Sequence, residues 1–200
     1  MNSSHISKRL AQFVAALAHK PYLIHNNIGS PFESDRGQHL LRQLYQGDAG
    51  AWRNVIEIWS PQLYHFLLYA TYCEEDAQEL LHHSFVDVAK AVTRGAFIPQ
   101  SLSELTILIV TIVDRLVRAY QEEKGAPAWD ESTLTVRFDA EQAAFLVALQ
   151  QLAPAIRHLL LLRYLVNLPL YELSAVTGYS IANIRLIFRI AALHFVYYGK

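Results

Sequence analysis

Acidic and imidazole side chains cluster between residues 76 and 83. The cluster consists of Asp76, Glu79, His82 and His83, and such groups catalyse proton transfer or bind metal ions. Adjacent residues of a helix point about 100° apart, so the two histidines face different directions. Asp87, four residues after His83, is the one further ligand at the i+4 position of either histidine. Nothing nearby indicates a closed pocket around Asp76 and Glu79. We therefore expect no metal site and no cofactor here.

Polar side chains also lie near the C-terminus, at Ser180, Asn183, Arg185 and Arg189. Arginine binds guanine edges and DNA phosphates, and short polar side chains add hydrogen bonds to both. The alternative is that these residues cap a helix and solvate its surface.

The composition excludes several classes of protein. Of the 200 residues, 52% are hydrophobic and the net charge is -1, whereas proteins that bind nucleic acid by charge alone are far more basic. Cys73 is the single cysteine, so neither an internal disulfide nor a CxxC motif can form. Catalytic motifs such as GxSxG, the P-loop, GxGxxG and HExxH are absent from the sequence, and its most apolar later stretch, residues 105–113, is too short to span a bilayer. We expect a cytoplasmic protein that is not an enzyme.

Apolar residues recur at helical spacing, which predicts an all-α fold. We expect helices over residues 7–19, 36–46, 49–59, 61–72, 74–93, 101–124, 141–151, 154–166, 170–176 and 181–197. Pro61 is expected in the first turn of a new helix, with Ser60 as its cap. The last two helices are separated by a short turn in which Gly178 supplies a positive φ and Ser180 caps the final helix. This pattern is typical of a helix-turn-helix.

Helix-breaking residues and charge divide the chain into two modules. Residues 125–139 contain glycine, proline and polar residues without an apolar period, which predicts a linker. We expect an N-terminal extension (1–36), a helical bundle (37–124), a linker (125–140) and a C-terminal helix-turn-helix bundle (141–200). The net charge is -3 over residues 37–100, -3 over 101–140 and +3 over 141–200, an asymmetry that favours different partners for the two modules.

Both modules resemble parts of an extracytoplasmic-function (ECF) sigma factor, over roughly residues 40–195. Residues 47–52, 61–64 and 76–85 are similar to the second region of that family, and residues 149–164 and 168–185 to the fourth, in the family's order and with its spacing. The resemblance implies that the second region binds the coiled coil of the polymerase β′ subunit and opens the promoter at the −10 element. The fourth region would read the −35 element and contact the β flap.

The resemblance also implies roles for the two polar clusters. Asp76, Glu79, His82 and His83 would contact the polymerase, although the family usually has Gln and an acid in place of the two histidines. Ser180, Asn183, Arg185 and Arg189 would contact promoter DNA. The leading hypothesis is a sigma factor whose partners are core RNA polymerase, promoter DNA and an anti-sigma protein or a second copy of itself, with no membrane.

The chain departs from the family pattern at DNA-facing positions. Ser103, Ile109 and Val110 replace the tryptophan and the Arg-Asn pair of the promoter-melting helix, and aliphatic side chains do not capture flipped bases. Leu186, Ile187 and Ile190 make the last helix apolar nearly all round, and such a helix normally packs against protein on more than one side. The alternative hypothesis is a degenerate sigma-like protein that no longer binds DNA and acts through protein–protein contact or self-association. A third hypothesis is a stand-alone helix-turn-helix repressor, but it would leave the N-terminal module without a role.

Overall fold

The described part of the chain is all-helical. The computed structural model describes residues 31–71, 73–125 and 146–198, which contain no strand. They belong to two compact units, residues 31–125 and residues 146–198. The helix expected over residues 7–19 and all of the expected linker except Gly125 lie outside the described residues.

Four helices build the N-terminal unit: α1 (Pro31–Tyr45), α2 (Ala49–Thr71), α3 (Glu74–Thr93) and α4 (Leu102–Lys124). Helices α2, α3 and α4 pack against one another, and α1 contacts all three. Large apolar side chains that are almost fully buried form the core, among them Val55, Leu63, Phe66, Leu67, Val88, Leu105, Ile109 and Val113. Each comes from the apolar stripe of an amphipathic helix, as the periodicity predicts.

Pro61 lies inside α2, so the prediction of separate helices over residues 49–59 and 61–72 is wrong. A proline inside a helix leaves the carbonyl four residues earlier, here that of Glu57, without its helical partner. Both residues are exposed, so water can hydrogen-bond that carbonyl. The buried stripe continues on the opposite side through Trp59 and Leu63, and its burial offsets the lost hydrogen bond.

The starts of α3 and α4 agree with the sequence. Helix α3 spans the predicted residues and begins with three acidic residues, which complement the positive end of its dipole. Ser101 caps α4: its Oγ accepts a hydrogen bond from the Glu104 amide at 3.1 Å. The Glu104 carboxylate accepts a hydrogen bond from the Gln100 backbone amide at 2.8 Å. The two side chains thus satisfy two backbone N–H groups at the start of the helix.

The C-terminal unit contains a helical turn at residues 146–149 and three helices, α5 (Pro154–Tyr164), α6 (Leu170–Thr177) and α7 (Ile181–Tyr198). The three helices pack mutually around buried leucine and phenylalanine side chains, including Leu159, Leu160, Leu162, Leu173, Phe188 and Phe195. Arg163 is buried and donates a 2.7 Å hydrogen bond to the Leu168 carbonyl. It thereby secures the turn between α5 and α6, in which Asn167 has a φ of 59°.

Helices α6 and α7 are joined by the three residues 178–180, and the chain direction changes by 102° between them. Gly178 has a φ of 76°, as predicted. No single described helix is long and apolar enough to cross a bilayer; α6 and residues 181–195 reach that length and composition only as this bent pair.

We expect Gly178→Ala to lower the free energy of unfolding by about 1–2 kcal/mol, because an L-residue is strained in the left-handed conformation. A Cβ added there would lie in open space, so the cost comes from the backbone alone. Gly178→Asn should lose less, since asparagine adopts this conformation more readily. Urea unfolding followed by circular dichroism measures both changes, and an alanine variant as stable as the unmodified chain would contradict this reading of the turn.

Candidate nucleic-acid and partner interfaces

Helix α7 buries one face in the C-terminal unit. Ile184, Phe188, Ala191 and Phe195 are almost inaccessible to solvent. Their spacing of three or four residues keeps them on one side of the helix. This face fixes the rotation of α7 about its axis and therefore decides which residues point outward.

The opposite face of α7 carries three exposed aliphatic side chains. Leu186, Ile190 and Leu193 are 56%, 49% and 54% exposed. At 100° per residue they lie directly opposite the buried stripe. We call Leu186, Ile190 and Leu193 the α7 stripe. Of the aliphatic residues that the sequence analysis named on this helix, Leu186 and Ile190 are exposed in the C-terminal unit and Ile187 is half-buried.

Arg185 and Arg189 lie along one side of the α7 stripe, one helical turn apart. Both are exposed, and neither forms a salt bridge within the described residues. Their guanidinium groups are therefore available to an anionic partner, because no carboxylate of the described residues competes for them.

Ser180 and Asn183 lie at the start of the same helix. The Ser180 Oγ accepts a 3.2 Å hydrogen bond from the Asn183 amide, and its carbonyl accepts one from Ile184 at 2.9 Å. Ser180 is thus the predicted cap, and the Asn183 side chain is exposed. The structure brings all four residues of the predicted DNA-binding cluster to the first three turns of α7.

Charge is unevenly distributed between the two units. Residues 146–198 contain four arginines and one acidic residue, Glu172, which is buried and accepts a 2.9 Å hydrogen bond from Tyr171. Residues 31–125 contain thirteen Asp and Glu residues against eight Lys and Arg. Because Arg163 and Glu172 are buried, the outward charges of residues 146–198 are cationic, whereas residues 31–125 have an acidic excess.

The second predicted cluster lies on α3, where Glu79, His82 and His83 are exposed. The two imidazole centroids are 6.0 Å apart and the rings are tilted at 49°. Among the described residues, no group of three His, Cys, Asp or Glu side chains is arranged to hold a metal ion. These three residues form an outward-facing polar surface.

Asp76 differs from the rest of its cluster because its carboxylate contacts α4. The Tyr120 hydroxyl lies 2.7 Å from Asp76 Oδ2 and 3.3 Å from the Thr71 carbonyl, and Lys124 Nζ is 3.3 Å from the same carboxylate. Gln121 Nε2 donates a 3.2 Å hydrogen bond to the Ala70 carbonyl. The end of α4 is thus tied to the end of α2 and the start of α3. The sequence analysis missed Tyr120 and Gln121, because no local pattern announces partners more than forty residues apart.

This contact shifts two pKa values in opposite directions. Burial and the neighbouring Asp76 raise the pKa of Tyr120 to about 12. The hydrogen bond from Tyr120, with a smaller contribution from Lys124, lowers the pKa of Asp76. The pair is therefore a neutral phenol next to an ionised carboxylate over the whole neutral range.

The residues that replace the promoter-melting positions of the ECF pattern are mostly internal. Ile109 and Val110 are fully buried in the N-terminal unit, and Ser103 is half-buried. The cations farther along α4 are engaged: Arg115 pairs with Asp87 at 3.2 Å, and Arg118 with Asp114 at 2.9 Å. Ile109 and Val110 are therefore closed to a separated DNA strand.

No protein-family model matches the chain, and no curated protein matches it. The similarity to ECF sigma factors rests on the motifs alone.

We expect Tyr120→Phe to lower the free energy of unfolding by about 1 kcal/mol, the usual loss for one hydrogen bond. Tyr64→Phe is the matched control, since the Tyr64 hydroxyl makes no hydrogen bond in the described part of the chain. Denaturant unfolding measures both variants, and equal effects would show that the Asp76 contact contributes nothing.

The same contact predicts a pH dependence of stability. The folded-state pKa of Asp76 is below the ordinary value of 3.8, so its contribution is present above that value and is lost as the pH falls below it. The pKa of Tyr120 is raised from 10.0 to about 12, so its contribution is present below pH 10 and disappears as the pH rises towards 12. In Tyr120→Phe both slopes should be shallower than in the unmodified chain, and unchanged slopes would contradict the assignment.

Proposed function

We propose that the protein acts in transcription initiation as an ECF sigma-like factor, with the C-terminal unit on promoter DNA and the N-terminal unit on core RNA polymerase. One observation carries the proposal: Arg185 and Arg189 are exposed on the outer face of α7 and form no salt bridge with the part of the chain that the structure describes. Had they been buried in ion pairs, no cation of this helix would be available to a duplex.

The geometry of α6 and α7 supports a helix-turn-helix. A three-residue connection with a left-handed glycine and a 102° change of direction fall within the range of that motif. In such a motif the second helix enters the major groove and its N-terminal residues contact base edges. Asn183, Arg185 and Arg189 would then contact bases or phosphates, while Ser180 holds the helix start in place.

The charge distribution supports the same assignment. Residues 146–198 carry three arginines that are not buried, Arg157, Arg185 and Arg189, and their single acidic residue, Glu172, is buried. The acidic N-terminal unit would be repelled by DNA phosphates, so the electrostatic field favours approach through the C-terminal unit.

For the polymerase contact we propose the α3 surface of Glu79, His82 and His83, which is exposed. Asp76 lies at its edge, and its bonds to Tyr120 and Lys124 hold α3 and α4 in register. Its role in polymerase binding would be to position this surface.

A second candidate function is favoured by two observations. The α7 stripe occupies the middle of the face that would meet DNA, and Ile109 and Val110 are core residues. A sigma-like protein that acts through protein contacts, without opening a promoter, explains both.

We expect Arg185→Gln with Arg189→Gln to weaken binding to duplex DNA at least about ten-fold, since each base contact contributes about 1–3 kcal/mol. Fluorescence anisotropy with a labelled duplex measures the affinity. If the arginines contact phosphates, the slope of log affinity against log salt should fall by about 2. The matched control is Arg53→Gln with Arg94→Gln, the same charge change at exposed positions of the acidic unit. Equal loss in both pairs, or no binding by the unmodified chain, would contradict the DNA role.

Run-off transcription with core polymerase separates the two candidate functions. The first expects promoter-specific initiation that is lost in the Arg185/Arg189 variant. The second expects no promoter-specific initiation under conditions in which a known sigma factor supports it.

A further inference from the structure

Two exposed surfaces combine apolar and charged side chains, and the first of them overlaps the proposed DNA contact. One is the α7 stripe, flanked by Arg185 and Arg189. The other is a groove between α1 and α2 in the N-terminal unit. We call it the α1–α2 groove, and it is lined by Asp35, Arg36, His39, Leu40, Gln43, Asn54, Glu57 and Ile58.

The α1–α2 groove combines apolar and acidic side chains. Ile58 is 57% exposed, although it is a large aliphatic residue, and Leu40 lines the groove with it. Asp35 and Glu57 add two carboxylates, against the single permanent cation Arg36. Neither carboxylate forms a salt bridge within the described residues.

The outer face of α7 has the opposite charge, and the α7 stripe gives it an apolar centre. Its three aliphatic side chains stand beside two arginines, and α7 contains no acidic residue. Two α7 helices packed on each other would bring like charges together, which is unfavourable. An α7 helix in the α1–α2 groove would instead place arginines near carboxylates and cover aliphatic surface on both sides.

We propose that the occupant of the α1–α2 groove is α7 of a second copy of the chain. Each copy offers both surfaces, so two copies related by a two-fold axis would make the same contact twice and close the assembly as a dimer. The overall charges agree with this partner, since the acidic N-terminal unit of one copy meets the cationic C-terminal unit of the other.

The biological role of this dimer rests on the second candidate function, in which the protein acts through protein contacts. The contact itself does not depend on DNA binding. It uses the same face of α7 as the proposed DNA contact. A dimer would therefore cover Arg185 and Arg189, and DNA and a second copy would compete for them.

Two charge-reversed chains test the proposal by sedimentation equilibrium. The first carries Arg185→Glu and Arg189→Glu, so both of its surfaces are acidic; the second carries Asp35→Lys and Glu57→Lys, so both are basic. We expect the unmodified chain to reach twice its mass of 22.7 kDa as concentration rises. Each reversed chain alone should stay at the single mass, and their equimolar mixture should form the dimer again.

The mixture also shows that the reversed chains are folded, because only folded surfaces can restore the dimer. Arg94→Glu with Arg157→Glu is the matched control outside both surfaces, and this variant should still dimerise. If the unmodified chain keeps a single mass at every concentration, the proposal is overturned. A chain whose α7 lay in its own groove would give the same single mass, and it would also overturn the proposal. A dimer that survives either reversal, or a mixture that stays at the single mass, would overturn it as well.

A DNA titration of the same variants separates this inference from the DNA role. The groove variant Asp35→Lys with Glu57→Lys should bind duplex at least as tightly as the unmodified chain, because its arginines are no longer covered. If the unmodified chain binds DNA but does not dimerise, only the self-association is refuted. A dimer without any DNA binding would refute only the DNA role.

Discussion

Helix α7 contains more apolar side chain than one helix face can bury, and this constraint determines what the C-terminal unit offers to partners. An α-helix advances about 100° per residue. Once Ile184 and Phe188 face the core, the α7 stripe must face outward. The same rotation sets Arg185 and Arg189 beside the stripe. The outer surface of α7 is therefore both cationic and apolar. Such a surface fits an anionic partner that also has apolar groups.

The N-terminal unit depends on a different contact. Tyr120 reaches Asp76 at 2.7 Å and approaches the end of α2, so one phenol joins three helices where two of them end. Its hydrogen bond ties α3 to α4, whereas Glu79, His82 and His83 face outward because they lie opposite the buried stripe of α3. Asp76, which the sequence analysis assigned to the polymerase contact, thus forms its bonds within the N-terminal unit.

Local signals predicted most of the helices but not the long-range contacts. The bounds of α3, the Ser180 cap and the left-handed Gly178 followed from side-chain chemistry that acts within four residues. Pro61 was misread because proline favours a helix start, whereas here the burial of α2 on both sides of it decides the outcome. The pairing of Asp76 with Tyr120 and the exposure of the α7 stripe depend on tertiary packing, which periodicity alone does not encode. The likeness to ECF sigma factors and the division into two modules remain proposals.

The central claim is the proposal that the outer face of α7 binds duplex DNA. Amide hydrogen exchange read by mass spectrometry, with and without duplex DNA, tests it directly. The account predicts that added duplex slows exchange in residues 178–193 and does not slow it in residues 31–125. Slower exchange confined to residues 31–125, or no change in residues 178–193 at a concentration where duplex is bound, would contradict it.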